Sequence, residues 1–175
     1  DGGVLLIIDM KNKFKGKTEK EIDNVQLYIY NDIMAKKDYG AYMIPSLIPI
    51  PAEYSNEQIE KALDMVFTAH RILTMHVEKR DGTPYLVKGK KPDVMKSSHN
   101  PLKMLSFLTS ESSIFESLSK YMIIRIPGKC YLLSLINHMI FDVTSQNNFR
   151  KALYRALEGN PLDYVDDAFL KLSAF

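Results

Sequence analysis

Two apolar, β-prone runs, Met122 to Ile126 and Tyr131 to Ile136, flank the tripeptide Pro127-Gly128-Lys129. No other feature restricts the fold as strongly, because a glycine-containing connector this short folds the two runs back on each other as a hairpin. A second hairpin is written upstream, where Asp81-Gly82 separates Thr74–Arg80 from Thr83–Val87 and favours the positive φ angles of a two-residue turn. The chain therefore alternates hairpins with helices and lacks the regular βαβ units of a parallel sheet, which predicts an α+β layered architecture.

The helices are read from caps and periodicity. Ser55 with Gln58 three residues later has the form of a capping box. Ile59, Ala62, Leu63, Val66 and Leu73 follow at helical spacing, so a long amphipathic helix runs directly into the first hairpin. Asp23 or Asn24 caps an earlier helix with Val25, Tyr28, Ile29 and Ile33 on one side, ending near Lys36. Thr144 or Ser145 caps a later one, with Phe149, Ala152, Leu153, Ala156 and Leu157 on its apolar face and Gly159 at its end. Ser112 to Lys120 suggests a short helix, and the polar stretch before it, through Pro101, reads as irregular. Val4 to Met10 reads as a buried strand. Tyr42 to Ile50 is β-leaning, but Pro45, Pro49 and Pro51 confine it to a sheet edge or an extended segment.

At 175 residues and 46% hydrophobic content the chain buries a real core as one domain, or as one lobe of a larger one. Its 23 basic and 21 acidic residues leave a formal charge of +2, which gives no reason to expect nucleic acid or an anionic membrane as partner. One cysteine, Cys130, forms neither an internal disulfide nor a multi-thiolate zinc site, so a reducing compartment, the cytoplasm, is expected. No stretch reaches the about eighteen consecutive apolar residues of a membrane span. The chain starts without Met and stops at Phe175 in a helical pattern, which suggests a fragment of something longer.

The chemistry concentrates where the second hairpin ends, in "INHMIFDVTS", Ile136 to Ser145. A histidine at the end of a buried strand has its backbone fixed by the sheet while its ring projects toward a cleft. With an ordinary pKa of about 6.5, such a ring serves as a general base near neutral pH. Asp142 either orients that ring or clamps the loop through an ion pair. Ser145 reads as a helix cap, since no G-x-S-x-G elbow surrounds it. His70, His76 and His99 share no tight ligand spacing with another His or Cys, so no metal site is expected. Asp166-Asp167 reads as a solvated face, the tyrosines and methionines as packing, and no Gly-rich phosphate loop supports nucleotide binding.

"NHMIFDVTS", after a β-prone run and before an amphipathic helix, resembles the HHxxxDGxS motif of nonribosomal peptide synthetase condensation domains, relatives of chloramphenicol acetyltransferase. His138 matches the second histidine, Asp142 the aspartate and Ser145 the serine. "IEKALDMVFTAHRILTMHV" is similar to that family's RHxxLRTxF helix, with His70 and Leu73 at matching places. Gln26 stands where a glutamine opens these domains, followed by "YGAYMIPSLIPI", similar to their first strand. The likeness runs from about residue 22 to residue 172. Three departures stand out: Asn137 replaces the first histidine, Val143 replaces the glycine beside the substrate tunnel, and Thr74 replaces the second arginine. Without that arginine, Asp142 requires Arg125, Arg71 or backbone donors as partners.

The resemblance implies a chloramphenicol acetyltransferase-like lobe, with a mixed, mostly antiparallel sheet packed with helices. It makes residues 1–175 the N-terminal lobe of a condensation domain, with the C-terminal lobe absent. It implies amide-bond-forming acyl transfer between carrier-bound aminoacyl or peptidyl thioesters, with His138 catalytic and Asp142, Asn137 and Ser145 supporting it. No cofactor is bound directly on this reading; the phosphopantetheine arms of donor and acceptor peptidyl carrier proteins bring the substrates. The other partners implied are the C-terminal lobe and a neighbouring adenylation domain. A catalytically idle docking lobe and a stand-alone acyltransferase of the same superfamily are the alternatives, and the 175-residue chain alone is expected to be inactive.

Overall fold

The computed structural model describes residues 19–163. The strand expected at Val4 to Met10 and the Asp166-Asp167 pair lie outside them. The elements run β1 (Glu19–Glu21), α1 (Asn24–Lys36), β2 (Met43–Ile50), α2 (Asn56–Ala69) and a single 3-10 turn (Arg71–Thr74). Then come β3 (Met75–Arg80), β4 (Thr83–Lys88), β5 (Val94–Ser97), α3 (Pro101–Ser110), β6 (Ser119–Ile126), β7 (Lys129–Asn137) and α4 (Val143–Leu157).

The strands form two sheets, a three-stranded antiparallel one in the order β1-β4-β3 and a four-stranded one in the order β2-β7-β6-β5. The second is antiparallel except for the parallel pair β5 and β6. Strands β6 and β7 sit in its interior and are covered on both faces, which is why they read as nearly unbroken apolar runs. On one face Tyr121, Ile123, Leu132 and Ile136 pack against α2 and α4 through Leu63, Val66, Phe67, Phe149 and Leu153. On the other, Met122, Ile124, Leu133 and Leu135 meet Leu108 of α3. Strand β2 is an edge, as its prolines require. Pro45 and Pro49 have the same parity along the strand, so both missing N–H groups fall on one side, away from the ladder to β7.

Local signals give their expected results where the chain itself supplies the partners. Ser55 and Gln58 exchange both bonds of the capping box at 3.1 and 2.8 Å. Asp81 and Gly82 take φ of 50° and 82°, and Gly128 takes 73°, closing the two hairpins. Gly159 ends α4 at φ 78°.

The differences arise where distant segments intervene. Ser112 to Lys120 is not a helix: Ile114 O accepts from Val77 N at 2.8 Å, Leu118 N donates to Met75 O at 3.0 Å, and Leu118 O accepts from Asn137 N at 2.8 Å. Those backbone groups are thus taken by the two sheets, and the segment bridges them. The helix lies earlier, at Pro101–Ser110, with Asn100 accepting from Leu102 N at 2.8 Å and Pro101 in the first turn, where its missing N–H is harmless. The stretch read as irregular also contributes β5. On α1 the inward side is Gln26, Ile29, Tyr30 and Ile33, while Val25 and Tyr28 face outward at 56% and 69% exposure. Helix α2 stops at Ala69, so Leu73 is buried from the 3-10 turn instead.

Tyr121 lies in the middle of the larger core, its ring 4.9 Å from Phe67 and 5.9 Å from Phe149. Burial pushes its phenol well above the ordinary value of 10.0. The folded protein therefore keeps the proton at a pH where the unfolded chain releases it. Stability from this group is whole below about pH 10 and declines as the pH rises through that value. In urea titrations between pH 8 and 11.5, wild type is expected to lose stability on the alkaline side, and Tyr121→Phe to show a flatter profile.

Candidate active site

Strand β7 ends at Asn137, and the chain turns through His138, Met139 and Ile140 before Asp142 starts α4. The turn is pinned by backbone bonds to distant segments. Asn137 N donates to Leu118 O at 2.8 Å and His138 N to Tyr42 O at 2.7 Å. Asn137 is fully buried, and its Oδ1 accepts from Met139 N at 2.9 Å while its backbone carbonyl accepts from Ile140 N at 3.0 Å. Its side chain thus forms an Asx turn that bends the loop directly after the strand. Met139, Ile140 and Phe141 are completely buried, and only His138 within the turn reaches the surface, as a half-buried residue.

The imidazole is held by the loop that carries it. His138 Nδ1 lies 2.7 Å from the carbonyl oxygen of Phe141. A carbonyl only accepts, so Nδ1 carries the proton, and in the neutral ring the lone pair sits on Nε2. The ring is thereby fixed in one tautomer with its acceptor nitrogen turned away from the backbone. Phe141 in turn is locked into the core, edge-on to Phe149 at 6.3 Å.

Asp142 does not orient the ring. It is the N-cap of α4, its Oδ1 accepting from Ser145 N and from Ser145 Oγ, each at 2.8 Å. That corrects the expected cap at Thr144 or Ser145: Ser145, fully buried, is the donor and Asp142 the acceptor. Among the described residues Asp142 forms no ion pair, and its carboxylate is satisfied by a backbone and a hydroxyl donor. Arg125 is at the opposite end of β6, where it donates to Ala52 O, Tyr54 O and Asn56 Oδ1. Thr74 is buried and its hydroxyl donates to Arg71 O at 2.7 Å. Val143 opens α4 without a positive φ and is 74% exposed, so the turn needs no glycine at this position.

Tyr42, whose carbonyl holds the His138 amide, has φ 65°, a strained backbone for a non-glycine residue. Its hydroxyl donates to Asp32 Oδ2 on α1 at 2.7 Å, and that bond with the Lys36 bond holds the Asp32 carboxyl below its usual range. Helix α1 also reaches the loop directly, through Gln26 Nε2 to Met139 O at 3.1 Å. Sequence reasoning placed Gln26 by resemblance alone and missed Tyr42 and Phe141, because both act through backbone carbonyls that have no side-chain signature.

The other histidines do not join His138. His76 Nε2 is 3.2 Å from Glu78 Oε1, His99 Nδ1 is 3.2 Å from Ser97 Oγ, and His70 caps the end of α2. Among the described residues no three His, Cys, Asp or Glu side chains are grouped to hold a metal, and no helix is long and apolar enough to cross a membrane.

This architecture, two sheets with a histidine at the end of an interior strand followed by a capped helix, is the fold of one part of a peptide-synthetase condensation or epimerization domain. No sequence-family model and no curated protein matches the chain. Among solved structures it is similar to the starter condensation domain of rhizomide synthetase (TM-score 0.70, 14% identity, 86% of this chain and 42% of that one). The epimerization domain from the third module of tyrocidine synthetase B matches at TM-score 0.64 and 17% identity, over 86% of this chain and 38% of that one. The first condensation domain of the calcium-dependent antibiotic synthetase, solved with a substrate analogue, matches at TM-score 0.66 and 15% identity, over 85% and 40%. The chain thus spans about two fifths of the length of the structures it matches, and at these identities the likeness establishes the fold.

Replacing the α4 cap separates its roles. Asp142→Asn keeps a capping oxygen and is expected to change stability little, whereas Asp142→Ala should cost about 1 kcal/mol. Shifts of the urea midpoint measure both; an equally large loss in Asp142→Asn would show that the charge itself is needed.

Proposed function

We infer that the chain is the N-terminal lobe of a condensation domain that joins carrier-bound acyl groups, with His138 as its central residue. The observation that carries this reading is the fixed tautomer of His138, whose Nδ1–H is tied to the Phe141 carbonyl and whose Nε2 is left as an acceptor on a half-buried ring. The fold shared with condensation and epimerization domains supports the class of reaction.

The donor substrate is an acyl thioester on the phosphopantetheine arm of one carrier protein, and the acceptor is an amine on a second. The amine nitrogen attacks the thioester carbonyl, the C–N bond forms, the C–S bond breaks, and the donor carrier leaves as a thiol. His138 Nε2 accepts the proton that the amine gives up and can return it to the departing sulfur, or it holds the amine in line for attack. Proton transfer of this kind contributes typically about 10² to 10⁴ in rate, and positioning can add more. Asn137 and Asp142 act on this ring only through the loop, by fixing the turn before it and the helix after it. The C-terminal lobe of the parent protein would close the tunnel in which the two arms meet, next to Val143.

The full-length protein, given loaded donor and acceptor carriers, is expected to form the condensed product, read by mass spectrometry. His138→Ala should reduce its initial rate by about 10² or more, and the 175-residue chain alone should give none. Equal product from wild type and His138→Ala would remove His138 from this role. Product from the 175-residue chain by itself would overturn the two-lobe reading.

A further inference from the structure

Gln26 is the only α1 residue with a hydrogen bond to the His138 turn among those described, and it is 1% exposed. Both ends of its amide are used. Oε1 accepts from Asp23 N at 3.0 Å, completing the capping box of α1, and Nε2 donates to Met139 O at 3.1 Å, 113 residues further along the chain. Capping needs only the oxygen, and a glutamate at the same position serves a capping box equally well. The donor end has a separate task.

Met139 follows His138 directly. Its N–H is held by Asn137 Oδ1 and its carbonyl by Gln26, so the peptide units on both sides of the residue are fixed. Two residues on, the Phe141 carbonyl receives the His138 Nδ1 proton. Rotation of the Met139–Ile140 peptide would carry Phe141 O away from the ring and leave both imidazole nitrogens free to exchange the proton. Met139, Ile140 and Phe141 are all completely buried, so no water is at hand to replace a lost partner on the Met139 carbonyl.

We propose that Gln26 is a positioning residue for His138, whose buried amide donates to the Met139 carbonyl and so keeps the turn in the form that fixes the imidazole tautomer. It acts through the turn and touches no substrate. The inference rests on His138 being the site residue, so the ring and the product are read separately.

The test uses the full chain labelled with 15N at histidine, the His138 signals being identified by their loss in His138→Asn. Wild type is expected to show a single Nδ1–H pattern at His138. Gln26→Glu keeps the capping oxygen but faces the Met139 carbonyl with a second acceptor, and should convert that pattern to a mixture of tautomers. Gln26→Leu should do the same, and it provides the comparison if the glutamate variant does not fold. Asp23→Ala breaks the cap while leaving the link to Met139, and should lower stability with the His138 pattern unchanged. In the full-length protein the Gln26 variants should lose up to about 10² in kcat, the scale of a small misplacement, with KM for the carriers little changed.

A wild-type pattern in both Gln26 variants would overturn the proposal, as would an Asp23→Ala pattern as disturbed as theirs. A ring that follows Gln26 supports it even where wild type forms no product; that outcome would sink only the amide-forming reading.

Discussion

The hydrogen bond from His138 Nδ1 to the Phe141 carbonyl fixes the imidazole tautomer, and β7, α1 and α4 all help to hold the turn that makes it. The donor and acceptor are three residues apart, so the bond exists only while the turn keeps its shape. That shape depends on Asn137 being the last residue of a strand buried on both faces, on Phe141 being wedged against Phe149, and on Asp142 starting α4 where it does. A flexible loop with the same residues would let the ring sample both tautomers. The two cores on either side of β6 and β7 thus do more than stabilise the fold; they hold one proton on one nitrogen.

The departures from the condensation-domain pattern are absorbed by this arrangement. A histidine at position 137 would place a large ring where the structure has a fully buried amide making an Asx turn. Val143 takes the first helical position with its side chain outward, so its β-branch meets no backbone restriction. With threonine at position 74 in place of the arginine, Asp142 Oδ1 is held by the two neutral donors of Ser145. The solved structures it resembles share its fold at 12 to 17% identity, so the fold is kept while most individual side chains differ.

What was legible in the sequence was what neighbours along the chain decide. Ser55 with Gln58, Asp81-Gly82 and the glycine at 128 specify their own geometry within four residues. The order of hairpins and helices, and hence the α+β class, followed from them. Ser112–Lys120 failed because its backbone bonds go to Met75, Val77 and Asn137, which no local pattern announces. The outward turn of Val25 and Tyr28 failed for a related reason: apolar spacing marks a stripe, but the buried partner at that level is the polar Gln26. For Asp142 the sequence left the ring, an ion pair or backbone donors open, and the structure gives it the backbone N–H and hydroxyl of Ser145. The partner of the His138 ring is a carbonyl, which no side-chain pattern announces.

The kind of interaction used at the turn also explains its precision. Among the described ion pairs, Lys36–Asp32, Lys91–Asp64 and Arg80–Glu19 are all on the surface, where water and salt screen them. The turn instead uses neutral bonds in a dry interior: Gln26 to Met139, Asn137 to Met139, Leu118 to Asn137. Each adds a modest net stability of about 1 kcal/mol, but leaving any one partner buried and unmade costs about 1–3 kcal/mol. That asymmetry favours one conformation over its near neighbours more than it favours folding as such. Such contacts hold a ring in one orientation better than charges do, because their directions are narrow and ionic strength does not alter them.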